Sequence, residues 1–93
     1  MITLSCEPDG TDWRCSVTIG DDSRATHHQV TVRAEHLHRI APPGAGAEDA
    51  VRASFEFLLA REPRESILRS FDLAEISRYF PEYDAELTRA LQG

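Results

Sequence analysis

Apolar and polar residues alternate with a period of two through most of the first 33 residues. The apolar members of the first two runs are Ile2, Leu4 and Cys6, followed by Trp13, Cys15, Val17 and Ile19. Because successive side chains of a β-strand point to opposite faces, this alternation is typical of strands with one buried face. A third run alternates in the same way. The sequence therefore predicts a three-stranded antiparallel meander, with strands at about 1–7, 12–19 and 26–33.

The first two strands can be joined by a two-residue loop at Gly10-Thr11, since glycine favours tight turns. In the register set by that loop, apolar residues face one another in the pairs Cys6–Cys15, Leu4–Val17 and Ile2–Ile19. Cys6 and Cys15 are therefore a candidate thiol pair, which could form a disulfide or act as a thiol switch. The simpler interpretation is two buried thiols that behave as small apolar side chains in a reducing compartment.

The second half of the chain has the periodicity of helices instead. Val51, Phe55 and Leu58 are spaced by four and three residues, so they share one side of a helix. Pro63 and Pro81 interrupt this pattern, and Asp72 with Glu75 has the spacing of a reciprocal helix cap. Helices are predicted at about 35–40, 47–61, 64–69, 72–79 and 82–91.

These elements predict an α+β fold in a single domain spanning residues 1–93. Residues 1–33 form the meander, residues 34–46 a short helix and a connector rich in proline and glycine, and residues 47–93 the helical half. A small isolated sheet is only marginally stable. We therefore expect the helices to pack on one face of the sheet and to cover its apolar side chains.

The run FEFLLxREPxESILxxFDLxxIxxYFPEY, which begins at Phe55 and ends at Tyr83, resembles a known pattern. It is similar to the C-terminal signature of small, uncharacterised bacterial and archaeal proteins in which a short β segment precedes it. The resemblance covers about residues 28–83. It implies the same order of β segment and helices, and it implies no activity because that family has none assigned.

The charge balance disfavours some classes of partner. The chain has 16 acidic residues against 10 basic ones, all of which are arginine, so its net charge is −6. Such a chain would repel a phosphate backbone, and we expect no nucleic-acid partner. No apolar run approaches the roughly 20 residues that span a bilayer, and no signal segment opens the chain. We therefore expect no membrane association and a cytoplasmic location.

Catalytic and metal-binding patterns are weak. Four histidines lie at 27, 28, 36 and 38, but His27 and His28 point to opposite faces of a strand and cannot readily bind one ion together. Gly44-Ala45-Gly46 precedes a helix whose first turn carries acidic residues, which disfavours phosphate binding there. No common catalytic motif is present. The sequence therefore predicts no enzyme, no metal and no cofactor.

The aromatic residues are the most informative feature for function. Six of the seven lie between Phe55 and Tyr83, which is more than a small sheet and one long helix can readily enclose. We expect some of them, from the set Phe57, Tyr79, Phe80 and Tyr83, to form a partner surface. The leading hypothesis is a non-catalytic protein-interaction or adaptor module, whose partner could be a second copy of the chain in a homodimer. The alternative is a thiol- or metal-responsive regulatory protein that uses Cys6, Cys15 and His28.

Overall fold

A four-stranded sheet covered by helices forms the α+β fold in the computed structural model, which describes residues 1–21 and 23–92. The strands are β1 (Ile2–Asp9), β2 (Asp12–Ile19), β3 (Thr26–Val32) and β4 (Ser70–Asp72). The α-helices are α1 (Ala34–Ile40), α2 (Ala47–Leu59), α3 (Ile76–Tyr79) and α4 (Tyr83–Gln92). Two short 3-10 turns occupy Arg64–Ser66 and Leu73–Glu75.

The predicted meander and its register are confirmed. β1 pairs with β2 so that Cys6 faces Cys15, and β2 pairs with β3, both in antiparallel fashion. The turn between β1 and β2 places Gly10 at φ 67°, a left-handed conformation that glycine adopts without steric cost. Along β2 and β3 the buried residues alternate with exposed ones, because the helices cover one face of the sheet and solvent the other.

The fourth strand was not predicted from the sequence. Ser70–Asp72 pairs in parallel with β3, so that Phe71 lies beside Val30 and enters the core. The expected helix over 64–69 is correspondingly wrong, since only Arg64–Ser66 forms a 3-10 turn there. Three residues are too few to show a period of two, and this strand depends on a partner about 40 residues away.

The predicted cap at the following turn is confirmed. The backbone N–H of Ala74 donates to Asp72 Oδ1 at 2.9 Å, and the N–H of Asp72 donates to Glu75 Oε2 at 2.8 Å. This reciprocal arrangement satisfies backbone donors that a helix start leaves unpaired. The predicted helix over 72–79 is divided, however, into the 3-10 turn Leu73–Glu75 and the single α-helical turn α3.

The core forms between the sheet and α2. Phe55 is fully buried there, with its ring centroid 5.4 Å from that of His28 and 5.9 Å from that of Phe71. A second side of α2 faces α4, where Ser54 and Tyr83 are also fully buried. The long helix is therefore enclosed on two sides, by the sheet and by the last helix.

The free edge of β1 is blocked at its two ends against the addition of another strand. The N–H of Gly20 donates to the carbonyl of Met1, so these two residues form a hydrogen-bonded pair. Hydrogen-bonded and non-hydrogen-bonded pairs alternate along an antiparallel ladder. The even-numbered residues of β1 therefore direct their backbone groups away from β2. Pro8 among them has no N–H to donate. The carbonyl of Ile2 already accepts a bond from Arg52 Nη1 at 3.1 Å. Such features are common devices against edge-to-edge association.

The opposite edge, at β4, is short and also partly occupied. The N–H of Gln29 donates to the carbonyl of Arg69, which directs the backbone groups of Ser70 and Asp72 away from β3. The N–H of Asp72 is taken by the Glu75 carboxylate. Of these two residues, only Ser70 retains both backbone groups for a further strand.

None of the helices described here has the length and the apolar character needed to cross a membrane.

Candidate functional site

An apolar groove of about 290 Å³ lies between the end of α2, the segment that enters β4 and the turn of α3. Its floor consists of buried side chains from these elements, namely Leu58, Ile67, Phe71 and Ile76. Its walls carry Leu68, Tyr79 and Phe80. Glu62 and Glu75 complete the lining together with Ser66.

Two of the large apolar side chains that line the groove are exposed to solvent. The side chain of Leu68 is 53% exposed and that of Tyr79 is 69% exposed. Leu68 follows the buried Ile67 in an extended segment, so adjacent side chains point to opposite sides and only one of them can enter the core. Tyr79 ends α3, which is too short to bury a second side. Large apolar residues in one exposed patch are typical of interaction surfaces.

The predicted partner surface is divided by the structure. Tyr79 is exposed and Phe80 is half-buried, as a surface role requires. Phe57 and Tyr83 lie in the core instead, which corrects the expectation that they are exposed. The Phe57 ring packs edge-on against Phe80 at 5.7 Å and against Tyr83 at 5.3 Å. The physical reason is the return of α4 onto the second side of α2, which helical periodicity within α2 did not show.

Arg61 holds this arrangement in place. Its guanidinium carbon lies 3.6 Å from the centre of the Phe57 ring. The same guanidinium pairs with Glu82 at 3.4 Å and with Glu86 at 3.2 Å. The side chain therefore covers the Phe57 ring while joining the end of α2 to the start of α4.

Leu68, which sequence analysis did not single out, replaces Phe57 and Tyr83 as a member of the exposed apolar surface.

The candidate thiol pair is a disulfide. The sulfur atoms of Cys6 and Cys15 are joined across β1 and β2, and their Cα atoms are 4.1 Å apart. Cys15 is fully buried, whereas Cys6 is only partly covered. The facing register was predicted correctly, but the interpretation of two separate buried thiols is wrong. The bond forms because an antiparallel pair without mutual backbone hydrogen bonds brings opposite side chains closest together.

His28 is buried on the apolar face, as its place in the alternation indicated. Its Nδ1 is 2.7 Å from the carbonyl oxygen of Leu68, which can only accept, so Nδ1 carries the proton and donates. Nε2 lies 3.0 Å from the Thr26 hydroxyl and forms a hydrogen bond with it. Both ring nitrogens are thus engaged, and a metal ion could bind this ring only after one of these bonds had broken. His28 instead ties β3 to the wall of the apolar groove.

The other histidines are dispersed. His27 is exposed and lies 3.1 Å from the Thr18 hydroxyl, while His38 is exposed on α1. His36 is buried, and its Nε2 is 3.1 Å from a carboxylate oxygen of Asp84 on α4. No group of three or more His, Cys, Asp or Glu side chains that could hold a metal ion occurs within residues 1–21 and 23–92.

A second cleft of about 450 Å³ separates α1 from the turn of α3. Charges of both signs line it, from the arginines Arg33, Arg39 and Arg78 and the acids Glu35, Asp72 and Glu75. Asp72 pairs with Arg33 at 2.6 Å. Glu75 lines the apolar groove as well, where the other charged residue is Glu62.

The buried phenol of Tyr83 has a raised pKa. Ser54 donates to the carbonyl of Ala50 at 2.6 Å, so its single hydroxyl proton is used and the Tyr83 phenol donates to Ser54 Oγ at 2.7 Å. Burial raises the pKa of Tyr83 well above its ordinary value of about 10.

A Tyr83→Phe variant tests this burial through the pH dependence of stability. Because the folded chain favours the neutral phenol, its contribution to the free energy of unfolding is complete below about pH 10. Above that pH the phenol ionises first in the unfolded chain, and the contribution falls by up to about 1.4 kcal/mol per pH unit. The variant is expected to lose about 1 kcal/mol at neutral pH, through its missing hydrogen bond, and to lack this alkaline dependence. Urea unfolding between pH 8 and 11 measures both effects. Tyr79→Phe is the matched control, and equal alkaline behaviour of the two variants would contradict the prediction.

Comparisons with protein-family models, with curated proteins and with solved structures found no match to this chain. None of the three bears on the resemblance of the run from Phe55 to Tyr83. The geometry of the apolar groove and of the disulfide is therefore the source of the functional hypotheses for this chain.

Proposed function

We propose that this protein is a small non-catalytic interaction module that binds an apolar segment of a partner in the apolar groove. One observation carries the proposal: of the three large apolar side chains exposed in the described chain, Leu68 and Tyr79 line the same groove. Covering the exposed part of these side chains is favourable, by some fraction of the roughly 1.5–3 kcal/mol that full burial of a fully exposed leucine contributes. A partner that covered them would recover part of that free energy.

The dimensions of the groove favour protein side chains over a cofactor. Sites for drug-sized molecules typically measure about 300–1,000 Å³ and enclose most of the ligand. The apolar groove, at about 290 Å³, is at the lower end of that range, and its lining includes the exposed side chains Leu68 and Tyr79, so it does not enclose a ligand. Its Glu75 is already engaged as a backbone cap. A few apolar side chains that project from a partner would fit this space.

Selection of displayed random peptides on the immobilised protein tests the proposal. Enriched peptides are expected to bind the wild type and to lose at least about tenfold in affinity for a variant with Leu68→Ser and Tyr79→Ser, because buried anchor residues dominate such interfaces. A variant with His38→Ser and Arg39→Ser, both exposed on α1, serves as the matched control and should bind normally. Peptides that bind the groove variant as well as the wild type would refute the proposal, as would a selection that enriches none.

A thiol-responsive regulatory role is a second candidate, motivated by the Cys6–Cys15 disulfide. The bond joins β1 to β2, and the partly covered Cys6 is its accessible end. If the bond regulates binding, its reduction should change the affinity of a selected peptide by several-fold. An unchanged affinity after complete reduction would reject the regulatory role and leave the disulfide as a structural element.

The compartment also enters the proposal. The cytoplasmic location expected from the sequence stays a prediction, and the disulfide weighs against it because such bonds are rare in reducing compartments. Alkylation of the native protein in intact cells, followed by mass spectrometry, distinguishes the two states. Alkylated Cys6 and Cys15 would support the cytoplasm, whereas an intact disulfide would support an oxidising compartment.

A further inference from the structure

We propose that the segment bound in the apolar groove is an amphipathic helix of a partner protein that carries an arginine or lysine beside its apolar face. The inference rests on the proposed function and names the chemistry of the partner. Two features of the structure carry it: the acidic residues that line the groove and the short, partly occupied strand edge at β4.

The charge of the groove selects the charge of the partner. Among the described residues that line it, the charged ones are Glu62 and Glu75, and both are acids. The Glu62 carboxylate has no ion-pair partner within residues 1–21 and 23–92. Arg78 lines the mixed-charge cleft together with Glu75, so Glu62 is the acid that no arginine of that cleft accompanies. A basic side chain next to the bound apolar residues would therefore meet the unpaired negative charge of Glu62.

The net charge of the whole molecule acts in the same direction. At −6, the chain attracts a basic segment and repels an acidic one before contact is made. Such steering weakens as the salt concentration rises, because ions screen exposed charges over about 10 Å at 0.1 M. The preference for a basic partner should therefore be largest at low ionic strength.

The sheet edge beside the groove favours a helical partner over an added strand. A peptide that binds as an added strand needs a row of free backbone donors and acceptors. β1 is the edge of the sheet farthest from the groove, so a strand added there would not lie in it. On β4, which borders the groove, Glu75 occupies the N–H of Asp72. A helix pairs its own backbone groups and needs no such edge, and it can insert apolar side chains at positions i, i+3 and i+4.

Fluorescence anisotropy with four labelled synthetic peptides tests the inference. Three peptides share an apolar face of leucine and phenylalanine at helical spacing, and their flanking positions carry arginine, glutamine or glutamate. The fourth has the composition of the arginine peptide but alternates apolar and polar residues, as a strand does. We expect the arginine helix to bind about 3- to 10-fold more tightly than the glutamate helix at low salt, and more tightly than the alternating peptide.

Variants locate the effect. Glu62→Gln should reduce the difference between the arginine and glutamate helices by several-fold, whereas Glu48→Gln, in the exposed first turn of α2, should leave it unchanged. Equal binding of the two helices, tighter binding of the alternating peptide or no binding of the arginine helix would overturn the inference. The inference would also be overturned if the wild type sedimented as a dimer and the variant with Leu68→Ser and Tyr79→Ser as a monomer, since the groove would then bind a second copy. The display selection decides the proposed function separately from these results.

Discussion

Replacement of Phe55 by alanine is expected to lower the free energy of unfolding by about 3–5 kcal/mol, the range for buried phenylalanine in other cores. Phe55 is fully buried between α2 and the sheet, in contact with the rings of His28 and Phe71. Removal of its ring takes apolar surface out of the core and leaves a cavity that these neighbours fill only in part. The loss is severe because the total stability of a domain this small is of the same order as the loss itself.

Urea unfolding followed by the fluorescence of Trp13, the single tryptophan, measures this loss. At roughly 0.05–0.15 kcal/mol per residue, a chain of 93 residues has a total stability of about 5–14 kcal/mol. The variant should therefore be partly unfolded or unfold at much lower urea concentration. Tyr79→Ala is the matched control, because the same kind of truncation at an exposed ring should change stability by less than about 0.5 kcal/mol. Similar losses in the two variants would contradict the assignment of the core.

Loss of the Cys6–Cys15 disulfide is expected to cost about 2–3 kcal/mol, the value that the chain-entropy account gives for a loop this short. The two cysteines are nine residues apart, and the bond restricts the unfolded chain between them. Once reduced, both sulfur atoms can still pack as apolar groups between the strands. The effect of reduction should therefore come mainly from the greater freedom of the unfolded chain.

Thermal or urea unfolding with and without dithiothreitol measures this second effect. The decisive control is a variant with Cys6→Ala and Cys15→Ala, which should be less stable than the oxidised wild type and indifferent to the reductant. If dithiothreitol does not destabilise the wild type, or if it destabilises the double variant equally, the disulfide does not contribute as described. Urea unfolding at neutral pH keeps this test separate from the ionisation of Tyr83.

Several features of the candidate site could be predicted from individual residues. The alternation placed His28 on the buried face, and the turn at Gly10 placed Cys6 opposite Cys15. Tyr79 was expected at the surface and is there. These predictions succeed because strand periodicity and tight turns act over a few residues, so the local sequence contains the relevant information.

Other features of the site were beyond such analysis. Leu68 was not singled out, although it follows Ile67 directly and two adjacent side chains in an extended segment cannot both be buried against one core. Its carbonyl accepts the bond from His28, a contact between residues 40 positions apart. Phe57 was expected at the surface because only one face of α2 was considered. Each of these outcomes depends on which distant segment packs beside the residue.

The amino-acid order alone determined the three antiparallel strands, their pairing, the long helix and the cap at Asp72, because period, turn chemistry and capping operate between near neighbours. Only the tertiary structure decided that Ser70–Asp72 becomes a strand, that Phe57 and Tyr83 are enclosed and that Leu68 and Tyr79 border one groove. The reason is the return of α4 and β4 onto earlier elements, which buries or exposes a side chain according to partners far away in the chain.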